Sequence, residues 1–224
     1  MKEYYVNQNL LINLENFNWY IFWTGFVWSN ISLNLVKTWI WKLYLYDVDK
    51  IEAKNISNQL YTKKQIWKEK TSSLKNNLSF FNINTTILEK TVNLEKIDSK
   101  QLVFNKENNL IFISVDDNNL RKKIYNDLKD LKIENSYIID IRTNQDIVYI
   151  KTFKFKKENI LENIELLNKV DKYDEENICW IKNTFYYGSL ISWLVLENIW
   201  KIYRKEKFYK EIIYMFKEMY LECK

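Results

Sequence analysis

The sequence predicts an α+β fold, and three stretches carry the prediction. Residues 116–133, "DDNNLRKKIYNDLKDLKI", place Leu120, Ile124, Leu128 and Leu131 on one face at helical spacing. "SYIIDI" and "DIVYIKTFKF" then alternate at period two around the turn "RTNQ", as paired strands do. "KENILENIELLNKV" restores the helical period, with Ile160, Ile164 and Leu167 in line. The order is helix, strand, strand, helix, with Asp116 or Asp117 placed to cap the first helix.

The flanking segments follow in order. Residues 1–46 are aromatic, and the 21 residues from Asn16 to Val36 carry no charge, which is the length of a membrane span. Asn16, Asn18, Thr24, Ser29, Asn30, Ser32 and Asn34 interrupt that stretch and argue against a span. "SNISLNLVKTWIWKLYLY" alternates like a strand or hairpin, with Leu33, Leu35, Lys37, Trp39 and Trp41 on one face. Residues 47–100 are rich in Lys, Asn, Ser and Thr, with weak helical spacing at Ile56, Leu60 and Trp67. They read as an insertion wrapped over another surface, or as a solvated charged face. "QLVF" and "NLIFISV" read as two strands around "NKEN" and open the 101–170 unit. Residues 171–224 form a helical extension. One helix is expected over 184–204, apolar nearly all round, and a second over 206–222, with Phe208, Ile212, Met215, Phe216 and Met219 on one side.

Composition sets further bounds. The 224 residues include 2 Gly, 9 Trp, no Pro and no His. Residues with GC-rich codons are depleted, which fits an AT-rich genome. Trp has only UGG in the standard code, so its abundance points to UGA also being read as Trp. A mitochondrial gene is therefore expected, with a mollicute or its phage as the alternative. "MKEYYV" has neither the Arg- and Ser-rich character of a transit peptide nor that of a secretory signal. Cys179 and Cys223 form no framework and read as free thiols.

A net charge of +5 suits an RNA-facing surface. The absence of His removes Ser-His and Cys-His nucleophiles and imidazole metal sites. No Gly lies between Gly25 and Gly188, which argues against a phosphate-cradling loop. The pairs Asp116–Asp117 and Glu175–Glu176 read as caps or solvated faces. No catalytic residue, metal ligand or cofactor is expected, and the chain reads as a non-enzyme.

The 116–156 stretch resembles the N-terminal domain of the third protein of the small ribosomal subunit, the universal S-three family. The resemblance rests on the acidic pair Asp116–Asp117 leading into a helix with Arg121, a strand ending at Arg142, and a second strand closed by Lys154. Val6–Asn7 followed by Trp19 and Trp23, four apart, match the family's N-terminal tail. The resemblance implies a divergent type II KH-like domain over 101–170. It implies a structural role in the mitochondrial small ribosomal subunit, in the matrix, with ribosomal RNA and neighbouring ribosomal proteins as partners. Lys2, Arg121, Lys122, Lys123, Arg142, Lys151, Lys154, Lys156 and Lys157 would then neutralise phosphates, and Trp19 and Trp23 would stack on bases. The family's GxxG loop is replaced by "FKKENILEN". Its glycine-rich second domain is not recognisable, so a separate polypeptide is expected to supply it. An accessory subunit of an organelle inner-membrane complex is the alternative reading.

Overall fold

The computed structural model describes residues 17–38, 40–81, 85–93, 96, 102, 104–144, 146–170 and 185–224. Their strands form one eight-stranded sheet, ordered β3-β2-β1-β4-β5-β6-β7-β8. The strands are β1 (Asn18–Phe22), β2 (Lys42–Asp47), β3 (Thr86–Thr91), β4 (Asn109–Ile113), β5 (Tyr137–Asn144), β6 (Ile147–Lys154), β7 (Glu211–Met215) and β8 (Tyr220–Cys223). The first five in the sheet run parallel, and β5 to β8 are antiparallel. Five helices cover it: α1 (Phe26–Lys37), α2 (Lys70–Ser79), α3 (Asn118–Leu128), α4 (Lys157–Val170) and α5 (Phe185–Tyr203).

Both faces of the sheet are buried. Trp19, Ile21, Leu43, Leu45, Leu110 and Phe112 pack beneath α1, α2 and α5. Tyr20, Phe22, Ile111, Ile113 and Ile138 face α3 and α4. Central strands of this kind lose the polar-apolar alternation of a half-exposed sheet and become continuous apolar runs such as "NWYIF" and "NLIFI". Aromatic rings stack across neighbouring strands: Tyr20 on Tyr44 at 4.5 Å, Phe22 on Tyr46 at 5.1 Å, and Trp19 on Phe112 at 5.7 Å. Trp19 is thus a core side chain, fully buried.

This architecture corrects the KH-like expectation. The predicted helix, strands and helix exist as α3, β5, β6 and α4, and Asp117 caps α3 by accepting from the Asn119 and Leu120 amides at 2.6 and 3.2 Å. However, β5 and β6 are interior strands of a larger doubly covered sheet, whose strands come from all four sequence segments.

Two local expectations also change. Residues 29–37, read as a strand, belong to α1. Their polar side chains turn back onto carbonyls of the preceding turn: Asn30 Nδ2 donates to Phe26 O at 2.8 Å and Ser32 Oγ to Trp28 O at 2.6 Å. Parallel β1 and β2 need a crossover rather than a hairpin, and α1 is that crossover. The helix expected over 206–222 is instead the β7–β8 hairpin, with Ile212, Tyr214 and Phe216 alternating inward beside β6. Of "QLVF", only Leu102 and Phe104 lie among the described residues, and neither is in a strand.

Candidate nucleotide site at the switch point

Strand β1 sits between β2 and β4, so the chain leaves it in one direction through α1 and returns on the other side at β4. In open α/β sheets, ligands bind outside the carboxyl ends of strands at such a reversal. A cleft of about 240 Å³ lies there. Trp23, Gly25 to Trp28, Asp49, Glu52, Lys54, Asn55, Gln59, Lys70, Ser114, Asp116 and Thr143 line it. A second cleft, of about 560 Å³, lies at the opposite end of β6. The smaller one has the position the topology dictates for a nucleotide.

The β1–α1 connection is fixed from three sides. Asp47 Oδ2 accepts from the Thr24 amide at 2.7 Å and its hydroxyl at 2.8 Å, while Tyr61 OH donates to the Thr24 carbonyl at 2.8 Å. The Trp23 amide donates to Tyr46 O at 2.8 Å. Burial pushes the Asp47 carboxyl pKa up, and the Lys70 ammonium and the Asp49 amide partly oppose that shift.

Residues 23–28, "WTGFVW", occupy the place of a G-x-G-x-x-G turn between a strand and a helix. The three glycines of that turn serve different ends, namely the tight bend, close approach of the backbone to a pyrophosphate, and close helix–strand packing. Here Trp23 makes the bend with φ of 80°. Trp28 fills the packing position, fully buried and edge-on to Phe112 at 4.8 Å. Gly25 alone is kept, at the position that faces a phosphate. It precedes the free amides of the first turn of α1, which form a ready anion site.

The opposite wall comes from residues 49–70. Lys70 Nζ meets Asp49 Oδ2 at 2.7 Å, with its side chain almost wholly buried, and lies 5.8 Å from the Trp23 ring centre. Asn55 is buried, and its Oδ1 accepts from the Glu52 amide at 2.8 Å. Two polar atoms of the lining residues have no protein partner among the described residues: Gln59 Oε1 and Trp28 Nε1. Asp49, Glu52 and Asp116 add carboxylates to the lining; Asp49 pairs with Lys70 and Glu52 with Lys54 at 3.0 Å, and among the described residues no cluster of three or more His, Cys, Asp or Glu could hold a metal ion.

The family model for ThiF matches residues 5–134. The chain belongs to the ThiF family. That family has an E1-like adenylyltransferase fold, which overturns the S-three resemblance, the ribosomal role and the expectation of a non-enzyme. Ribosomal RNA, ribosomal proteins and a separate polypeptide completing the fold are withdrawn as partners on the same finding. The membrane-subunit alternative is not supported either, and among the described residues no helix is long and apolar enough to cross a membrane.

Solved structures agree on the fold. Escherichia coli MccB with ATP superposes with a TM-score of 0.69 at 19% identity, covering 94% of this chain and 64% of that one. MccB with AMPCPP and MccA gives 0.68 at 19%, with the same coverage. PaaA gives 0.71 at 18%, covering 98% and 75%. The chain therefore spans about 64% of the MccB length. No curated protein sequence matches.

The residues singled out in the sequence are scattered over the fold. Trp23 lines the switch-point cleft, and Trp19 is core. Arg121 is buried: its Nε donates to Asp140 Oδ1 at 3.0 Å, and another of its nitrogens donates to Val115 O. Arg142 binds the other Asp140 oxygen, with Nη2 at 2.8 Å. Lys123 pairs with Asp127 at 2.6 Å, Lys157 with Asp130 at 2.6 Å, and Lys122 is half-buried on α3. Lys151, Lys154 and Lys156 share the second cleft. Lys2 lies outside the described residues, as do Cys179, Glu175 and Glu176. Sequence reading missed Asp49, Glu52, Asn55, Gln59 and Lys70, which fall in the stretch taken for an insertion. One signal was present: Gly25 after an apolar run, with an acid about 20 residues on at the end of the next strand.

Proposed function

We propose that this chain binds ATP in the switch-point cleft and transfers AMP to a carboxylate of a peptide substrate. The observation that carries the reading is Gly25 at the start of α1, at the sheet's reversal point, in a ThiF-family chain. It is supported by MccB, whose solved structures include one with ATP and one with AMPCPP and MccA.

In the reaction, an ionised carboxylate oxygen attacks the α-phosphorus. The bond from that phosphorus to the bridging oxygen breaks, and pyrophosphate leaves with the electron pair. No base is needed, because the nucleophile is already ionised. The protein's part is to place charge. The α1 amides, Lys70 and Lys54 neutralise the phosphates. Asp49, released from Lys70 as the phosphates attract the ammonium, accepts from the ribose hydroxyls. A divalent cation arriving with the ATP would find the Asp116 carboxylate on the cleft wall to help hold it, and would supply further charge to the phosphates.

The test is pyrophosphate–ATP exchange by the full chain with a panel of peptides, beside calorimetry with ATP alone. Exchange that depends on peptide and is lost in Lys70→Ala supports the reading. Failure to bind ATP would remove it.

A further inference from the structure

The larger cleft lies at the opposite end of the sheet. It is bounded by the end of β6, the first turns of α4 and the segment leading into β7. Lys154 pairs in register with Tyr137, at the start of β5, whereas Thr143 near the far end of β5 lines the nucleotide cleft. At roughly 3.3 Å per residue, the two clefts stand about 20 Å apart along the strand.

Five lysines line the larger cleft against three glutamates. Glu211 is held by Tyr149 OH at 2.7 Å and by Lys151 at 3.9 Å, and Glu158 by Lys156 at 3.6 Å. Lys154 and Lys210 have no carboxylate partner among the described residues. Phe208 adds an apolar surface, its ring edge-on to Tyr137 at 5.6 Å. Asn163 on α4 is 2% exposed and donates from Nδ2 to Asn159 O at 2.7 Å, but its Oδ1 has no partner among the described residues.

We propose that this cleft docks an acidic peptide segment. Lys154 and Lys210 call for anions, and Asn163 Oδ1 calls for an N–H donor. A phosphate or polyphosphate has no N–H to give, whereas an acidic peptide brings carboxylates, main-chain amides and apolar carbons together. The volume falls within the range of pockets that enclose small ligands, about 300–1,000 Å³. That the docked peptide is the substrate rests on the function proposed above. Its binding does not, because no nucleotide is needed.

The test is anisotropy of a fluorescein-labelled glutamate–alanine repeat peptide titrated with the full chain. Saturable binding is expected. It should weaken about tenfold or more in Lys154→Glu/Lys210→Glu, two exposed sites that leave the far-ultraviolet spectrum unchanged. It should weaken several-fold in Asn163→Leu, and excess ATP should not displace the peptide. Three results would overturn the proposal: no saturable binding, indifference to the double lysine variant, or displacement by ATP. Inorganic tripolyphosphate that competes fully while Asn163→Leu has no effect would reduce the cleft to a bare anion site. Peptide binding without pyrophosphate exchange would sink only the adenylation reading, and exchange without peptide binding only this one.

Discussion

Gly25 has an ordinary φ of −75°, so an alanine there strains no backbone. Its Cβ would stand 3.3 Å from Trp23 Cδ1, and in the proposed site it would also crowd the phosphates of ATP. Gly25→Ala should melt within about 3 °C of the parent, yet bind ATP about tenfold more weakly, a difference of about 1.4 kcal/mol. Calorimetry and a thermal melt on the same sample check both halves. Asp140 offers a second test. Burial pushes its carboxyl pKa up, but the guanidiniums of Arg121 and Arg142, with the Tyr125 hydroxyl, outweigh burial and hold it below the ordinary value. Its stabilisation is therefore complete above about pH 4, the usual Asp value, and is lost as pH falls through the lowered folded-state value. Asp140→Asn leaves Arg121 buried without its counter-charge and should cost about 3–5 kcal/mol near neutrality. Urea melts from pH 7 down to pH 3 should show the variant losing less of its remaining stability on acidification than the parent. These two arginines show why a residue type in isolation misleads. Arg121 and Arg142 look like phosphate ligands in sequence, and only the fold reveals Asp140 between them.

Helices α1 and α5 meet at Gly188, where an added Cβ would lie 2.7 Å from Asn30 Nδ2. That amide already donates to Phe26 O at 2.8 Å and Asn58 O at 3.1 Å, so it cannot withdraw freely. Gly188→Ala should destabilise by about 1–3 kcal/mol, and pairing it with Asn30→Ala should return part of that loss. Equilibrium denaturation of the single and double variants measures the coupling. For the cap of α3, Asp117→Ala should cost about 1 kcal/mol, seen as a drop of about 2–4 °C in Tm. Elements with a clear local period or a continuous apolar run were legible in the sequence: α3, α4, α5, β4, and the β5–β6 hairpin with its short turn. Helix α1 and the β7–β8 hairpin were not. In α1 the buried Ser29, Asn30 and Ser32 mimic a strand's alternation, because their polarity is satisfied within the helix and not by water. Over 206–222 the same residues fit both a helical and a strand pattern, and the open edge of β6 decides between them.

Across the whole molecule, the parallel order around β1 depends on pairings between strands far apart in sequence, and no local periodicity encodes them. The site suffers in the same way. Its two walls, 23–28 and 49–70, look like an aromatic run and a polar insertion until β1 and β2 are laid side by side. The glycine signature was also masked, since Trp23 and Trp28 hold two of its three positions. The central claim is that ATP sits between these walls, and photolabelling with 8-azido-ATP followed by peptide mapping tests it most directly. Saturable labelling is expected within residues 23–28 or 47–70, suppressed by excess ATP and strongly reduced in Lys70→Ala. Labelling that does not saturate, or that maps to the β6–α4 cleft, would contradict it.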